Sequence, residues 1–411
     1  MVNRYKRRFR LLVFVVMLLT TFILMVSLTY AEEQSEAEKS QVNDSGITGE
    51  ILDQQVESSN IEKIQGEMNK HSNEGVREII PDYDPQRIVS DALKGKFEFS
   101  FSGFFNAIMK YVFKELYFNV DVLIKLIILV IFCAILRNLQ TSFLSESVGE
   151  LAFYACYIVL VSVMIISLDT ALDLGRDIID KMVSFMHASI PVLITLLVSG
   201  GNFTSAGIFQ PILIVIVEIS ATVIRNVFLP LIFLSVILSV VDNISDKIQV
   251  SRLAQFLKQV SGWALGLILT VFIGVISIQG SLGAVVDGVT SKTAKFAIGA
   301  LIPVAGKYLA DAADAVVGCT LLIKNAAGIA TMIGIIAICI VPLLKIFVLL
   351  LLYRITCILI EPIAEKRITN CINEMAGSLT FIFGLVAAVS FMFLISITVI
   401  ISASNISTMI R

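Results

Sequence analysis

The sequence predicts an all-α, polytopic membrane protein of about 7–8 transmembrane helices, and three observations carry that prediction. Of its 411 residues 57% are apolar and only 16% charged, whereas about a quarter are charged in soluble domains. Uncharged runs of span length recur between residues 122 and 401, and such runs match the ~20 residues a helix needs to cross a bilayer. Finally, Arg4, Lys6, Arg7, Arg8 and Arg10 precede an uncharged stretch from Leu11 to Tyr30, the layout of an export signal.

Residues 1–31 therefore read as a signal peptide. Ala31 suits the last position before cleavage and Thr29 suits the position two before it less well. The apolar stretch is long enough to stay behind as an anchor, and in either case the following chain faces outward. Residues 32–100 read as an exported polar segment. Its first part, to residue 80, is rich in Glu, Gln, Ser, Asn and Lys; so little apolar surface predicts a disordered or loosely helical tail. Asp84-Pro85 marks a helix start, with Ile88, Val89 and Leu93 on one face. Ser102 can cap a helix from Gly103 to Phe118, with Phe105, Met109, Val112, Phe113 and Leu116 opposite Lys110, Lys114 and Glu115. Residues 101–118 thus read as an interfacial amphipathic helix, and 119–411 as the transmembrane helical domain.

Within that domain the apolar runs place spans at 122–138, 150–168, 182–199, 206–224, 226–241, 261–280, 328–360 and 377–401. The run 328–360 is ~50 Å long as one helix. It is either one helix running out of the bilayer or two segments broken near Pro342 and Lys345. The pair 182–199 and 206–224, joined by Ser199-Gly200-Gly201-Asn202, also suits a re-entrant hairpin. Loop charges favour an outward start: 242–260 and 361–376 carry Lys247, Arg252, Lys258, Lys366 and Arg367, whereas 169–181 carries Asp169, Asp173, Asp177 and Asp180. The lysines of 281–327 run against this pattern, which points to burial of part of that segment.

Residues 280–328 are too polar for a free span and too rich in small residues for a soluble loop. Gly299, Pro303 and Gly306 are the candidate helix breaks, and broken backbone at membrane depth survives only inside protein or against water. Asp311 and Asp314 share a helix face, and Lys307 stands one turn before Asp311. The segment 287–328 is either a re-entrant element lining a polar path or an extracytoplasmic helical hairpin with solvated charges. Inside the spans, Glu218 is a carboxylate in an apolar run, where insertion costs about 2.5–3.5 kcal/mol. It needs water or a partner, or else serves as a structural carboxylate between helices. Glu218, Asp287, Lys307, Asp311, Asp314 and Lys324 are the candidates for one polar path.

The run from Asp287 to Gly328, with Thr293-Ala294-Lys295-Phe296, Ile302-Pro303-Val304, the two aspartates and Leu321-Leu322-Ile323-Lys324-Asn325-Ala326, resembles the stage III sporulation protein AE family of endospore-forming bacteria. The resemblance covers roughly residues 85–411. It implies a multi-pass protein of the mother-cell membrane surrounding the forespore. It further implies a subunit of a secretion-like channel complex, with a permease-like role in moving solutes or maintaining the forespore. The alternative is a non-transporting scaffold that assembles the other channel components. Its implied partners are other membrane proteins of that complex and membrane lipid.

No enzyme is expected. With only two histidines, His71 and His187, the H-E-x-x-H and three-histidine metal sites are impossible. Gly306-Lys307 ends like a P-loop, but Tyr308 stands where Ser or Thr must hold magnesium. His187 reads as a helix-packing residue, and the six cysteines as small buried apolar groups. No cofactor or metal is called for, and a net charge of −2 offers nothing to nucleic acid. Energy for transport would come from an ion gradient or from a cytoplasmic ATPase docking on 242–260 or 361–376.

Overall fold

The computed structural model describes residues 61–94, 100–142, 146–244, 250–301 and 306–410; the expected signal peptide and cleavage site lie outside them. Every regular element among the described residues is helical. Three short helices come first: α1 (Ile61–Lys70), α2 (Glu74–Ile79) and α3 (Pro85–Leu93). Asn73 caps α2 by accepting from Val76 N at 2.9 Å, and Asp84 caps α3 by accepting from Gln86 N, with Pro85 in the first turn. Residues 61–80, expected to be disordered or loosely helical, are largely helical and ordered. Ile61, Ile64 and Met68 are buried on one face at helical spacing. These few apolar groups cannot make a core alone, but they dock on the helices described next.

Helix α4 (Phe101–Phe118) begins at the cap Ser100, whose hydroxyl accepts from Gly103 N, rather than at Ser102. It meets α5 (Val120–Ser142) at a 44° bend. Beyond it lie α6 (Glu146–Ser199), α7 (Phe203–Val223), a π-helical turn (Ile224–Phe228), α8 (Leu229–Ile244), α9 (Ser251–Leu301), α10 (Gly306–Ile360) and α11 (Lys366–Ile410). The eight expected spans collapse onto fewer rods. The runs 150–168 and 182–199 both belong to α6, and 206–224 and 226–241 form one rod through the π turn. Among the described residues five helices are long and apolar enough to cross a membrane, or six with the bent α4–α5 pair, below the expected 7–8. The physical reason is plain at 169–181. Its aspartates made it look like a loop, yet they stand at helical spacing with no proline between them, so helix continues. The run 328–360 is likewise one piece of α10, with Pro342 inside it.

Helix α11 is the centre of the bundle and packs on α6, α8, α9 and α10. Ile368, Ile372, Met375, Leu379, Ile382, Val386, Val389, Phe393, Ile397 and Ile400 form its buried stripe. Among apolar neighbours such a stripe is held by close packing rather than by exclusion of water. Small residues permit that packing: Gly175 of α6 lies against Ile382 and Val386. Of the cysteines, Cys133, Cys319, Cys339 and Cys371 are buried and all six are free.

Helix α9 runs unbroken through residues 287–301, with Gly299 inside it, and α10 begins at Gly306; Pro303 lies outside the described residues. The described part of 287–328 is therefore two helix ends, with no re-entrant break in either. Asp287 stands beside the start of α7; the 14 residues of α9 beyond it extend ~20 Å further.

Candidate functional site

Two helices set up the most unusual surface of the molecule. The turn between α6 and α7 is closed by Gly201, at φ 76°. Gly201 N donates to Val198 O and Asn202 N to Leu197 O, the two bonds of a Schellman motif, which requires a left-handed residue at this point. Helix α7 therefore folds straight back along α6.

Along α6, Asp169, Asp173, Asp177, Asp180, Ser184, His187 and Thr195 are exposed, and their spacing of three, four or eight residues keeps them on one face. Glu218, Thr222, Arg225 and Asn226 are exposed on the adjoining part of α7 and the π turn. Two contacts cross between the helices: Arg225 to Asp180 at 2.9 Å, and His187 Nε2 to Glu218 Oε2 at 3.2 Å. Two more follow α6 itself, Arg176 to Asp173 at 3.0 Å and Lys181 to Asp177 at 2.7 Å. Asp169, Asp173, Asp177, Asp180 and Glu218 outnumber Arg176, Lys181 and Arg225, so the face is net anionic.

The Glu218 end of this face lies beside strongly apolar structure. A cleft beside it, of about 470 Å³, joins Pro211–Ser220 of α7 to Leu267–Phe272 of α9, and α9 has no ionisable residue between Lys258 and Asp287. On that side Trp263, Leu267, Val271 and Ile278 are exposed, as a lipid-facing helix requires. On the other side of α6, Phe185 and Met68 of α1 both meet Gly334 of α10. At a cost of about 2.5–3.5 kcal/mol per charge in the bilayer centre, so many charges cannot face lipid tails together. The face must meet water or protein.

The expected polar-path residues are distributed as follows. Glu218 belongs to this face, its side chain 53% exposed. Asp287 does not: it is 2% exposed and accepts from Thr204 N and Ser205 N at 2.8 Å each, at the head of α7 and ~20 Å along the helix from Glu218. Lys324 is also buried, and its Nζ donates to the Ile401 carbonyl of α11 at 2.8 Å. Asp314 is exposed on the first part of α10, and the side chains of Lys307 and Asp311 lie outside the described residues. Arg225, which shares a face with Glu218 in sequence, pairs with Asp180 instead. His187, expected to be a packing residue, is 47% exposed and faces Glu218. The aspartates of α6 were missed as site residues; the signal that finds them is their 4-4-3 spacing. Among the described residues no three His, Cys, Asp or Glu side chains converge as metal ligands.

Long apolar rods packed around a central helix define a multi-pass helical membrane protein. More narrowly, the chain belongs to the stage III sporulation protein AE family, whose model matches residues 83–404. It is 37% identical over 319 residues, covering 78% of this chain and 80% of the relative, to Stage III sporulation protein AE of Bacillus subtilis (strain 168). No solved structure matches it.

Proposed function

We propose that this sporulation protein is a permease-like membrane subunit of the channel complex between mother cell and forespore, with the α6–α7 face lining its path. The observation that carries the proposal is the run of exposed Asp169, Asp173, Asp177, Asp180 and Glu218 along α6 and α7, whose Glu218 end lies beside the apolar cleft between α7 and α9. A face that cannot meet lipid is a surface for water and for other protein, so the partner membrane proteins of the complex close it on the outer side. Its excess of carboxylates favours cationic or neutral polar solutes over anions. The chain works without catalysis, cofactor or bound metal, in the mother-cell membrane around the forespore, with its N-terminal segment extracytoplasmic. Energy comes from an ion gradient or from a cytoplasmic ATPase docking on 242–260 or 361–376. Lys258 and Glu374, one in each segment, are joined at 2.8 Å, so both segments belong to one end of the bundle.

Single cysteines at Asp173 and Ser184, in a full-length chain whose six native cysteines are replaced, test this in lipid nanodiscs, where the reagent reaches both faces of the membrane, with sporulation scored separately in cells. A membrane-impermeant thiol reagent should label both, and should leave a cysteine at Leu267 unlabelled. Protection of all three, with sporulation intact in the four-aspartate to asparagine variant, would make the protein a scaffold.

A further inference from the structure

The contacts between α6 and α7 on the polar face differ in kind. Asp180–Arg225 joins a carboxylate to a guanidinium that is always charged. His187–Glu218 joins a carboxylate to the one side chain whose ordinary range of proton exchange spans neutrality. Both helices are also interrupted near this second contact. Pro191, inside α6, has no N–H to offer the His187 carbonyl four residues back, which weakens the helix at that point. Pro211 lies inside α7 two turns before Glu218, and the π turn Ile224–Phe228 begins six residues after Glu218; such turns concentrate where a helix must yield. A cleft of about 190 Å³ opens beside the ring, lined by Lys63 of α1, His187, Ala188, Pro191, Val192 and Thr195, so water and its protons reach the ring.

Resting on the water-lined path proposed above, we propose that His187 and Glu218 form a proton-binding site that gates the α6–α7 face. One proton taken from the aqueous phase by the pair raises its charge by one and strengthens the contact between the ring and the carboxyl group. The two helices are then drawn together across the pair. Release of the proton loosens them, and the missing hydrogen bond at Pro191 and the π turn are where the helices can yield. Lys63 of α1 lines the cleft beside the ring, and the Asp180–Arg225 pair lies about two turns away on the same two helices. Helices α9 and α11 add none, since no ionisable residue lies between Lys258 and Asp287 or between Glu374 and Arg411.

The site is tested in the full-length chain in lipid nanodiscs, in the background without native cysteines. The labelling rate of a cysteine at Ser184, corrected for its thiolate fraction, is measured from pH 8.5 to pH 5.5. A change of at least fivefold is expected, absent in His187→Gln and in Glu218→Gln, and restored in the exchanged pair His187→Glu with Glu218→His. A flat rate, or a response that survives in His187→Gln, overturns the gate while leaving the water-lined path intact. Labelling absent at every pH would sink the path instead, and the proton site is then judged on its own. Because the chain has two histidines, the His187 ring signals can be followed by nitrogen NMR, assigned with His71→Gln. A titration displaced at least tenfold in proton concentration by Glu218→Gln supports the site, and an unchanged one overturns it.

Discussion

The carboxylate of Asp287, on α9, caps α7 at Ser205, a residue 82 positions earlier in the chain: it accepts from Ser205 N at 2.8 Å and from Thr204 N at the same distance. These are the second and third N–H groups of α7, which have no acceptor inside the helix. Asn202, the local cap position, makes no side-chain cap bond. The cap that the local sequence fails to provide comes from another helix, and a negative charge at that position also meets the positive end of the α7 dipole.

Asp287→Ala should destabilise the bundle by about 2–3 kcal/mol, since two buried charge-assisted bonds are lost and two N–H groups are left unmet. Thermal unfolding of the full-length protein in detergent reads the loss. Adding Asn202→Asp should recover part of it by restoring a local cap. An Asp287→Ala protein with unchanged melting would show that the cap does not hold α9 to α7.

The same contact is enforced by Gly283. A Cβ there would lie 2.7 Å from Ser205 Oγ and 3.1 Å from Ser205 Cα, with backbone on one side that cannot move aside cheaply. Gly283→Val should lower stability by roughly 1–3 kcal/mol through overpacking. Ser205→Gly should recover part of that, which makes the double variant the informative one. Additive losses in the two single variants would place the strain elsewhere.

At the polar face, Asp180→Arg or Arg225→Asp alone puts two like charges opposite each other across α6 and α7. Each single variant should cut heat-resistant spore yield at least tenfold with the protein still in the membrane, and the double exchange should restore it. Equal yields in all three strains would mean that the 2.9 Å pair is incidental to function.

His71, at the end of α1, gives the docked N-terminal layer a pH dependence. Burial holds its imidazole below the usual range, with Glu67 opposing and Lys181 and Lys70 assisting. A histidine kept neutral by folding stabilises the docked state fully above pH ~6.5, and that contribution is lost as pH falls through the lowered folded value. Limited proteolysis between residues 61 and 94 should therefore accelerate as pH drops from 7 to 5 in the wild type. His71→Gln should flatten the dependence, and an identical acceleration in that variant would assign it to another group.

Composition and hydropathy sufficed for the all-α membrane class, because a chain this apolar has few soluble solutions and lipid permits only satisfied backbone. The caps at Asp84-Pro85 and the turn at Gly200-Gly201 were equally legible, since each depends on neighbours in the chain. The number of rods was not. Whether Asp169–Asp180 interrupts a span or continues it depends on whether something polar meets those side chains, and a window of sequence carries no record of its neighbours. For the same reason Glu218 stood out by itself, whereas its partner did not: His187 lies 31 residues away and is brought opposite only when α7 folds back on α6. Asp287 and Lys324 looked like members of one path because charge in an apolar segment is conspicuous in sequence. Folding sends one to a helix N-terminus and the other to a carbonyl of α11. What the sequence determined by itself is the membrane, the helices and their local ends, all of which follow from residue type and short-range spacing. Only the tertiary structure decided which charges are satisfied internally and which are left on one exposed face, because that depends on antiparallel registers between helices tens of residues apart.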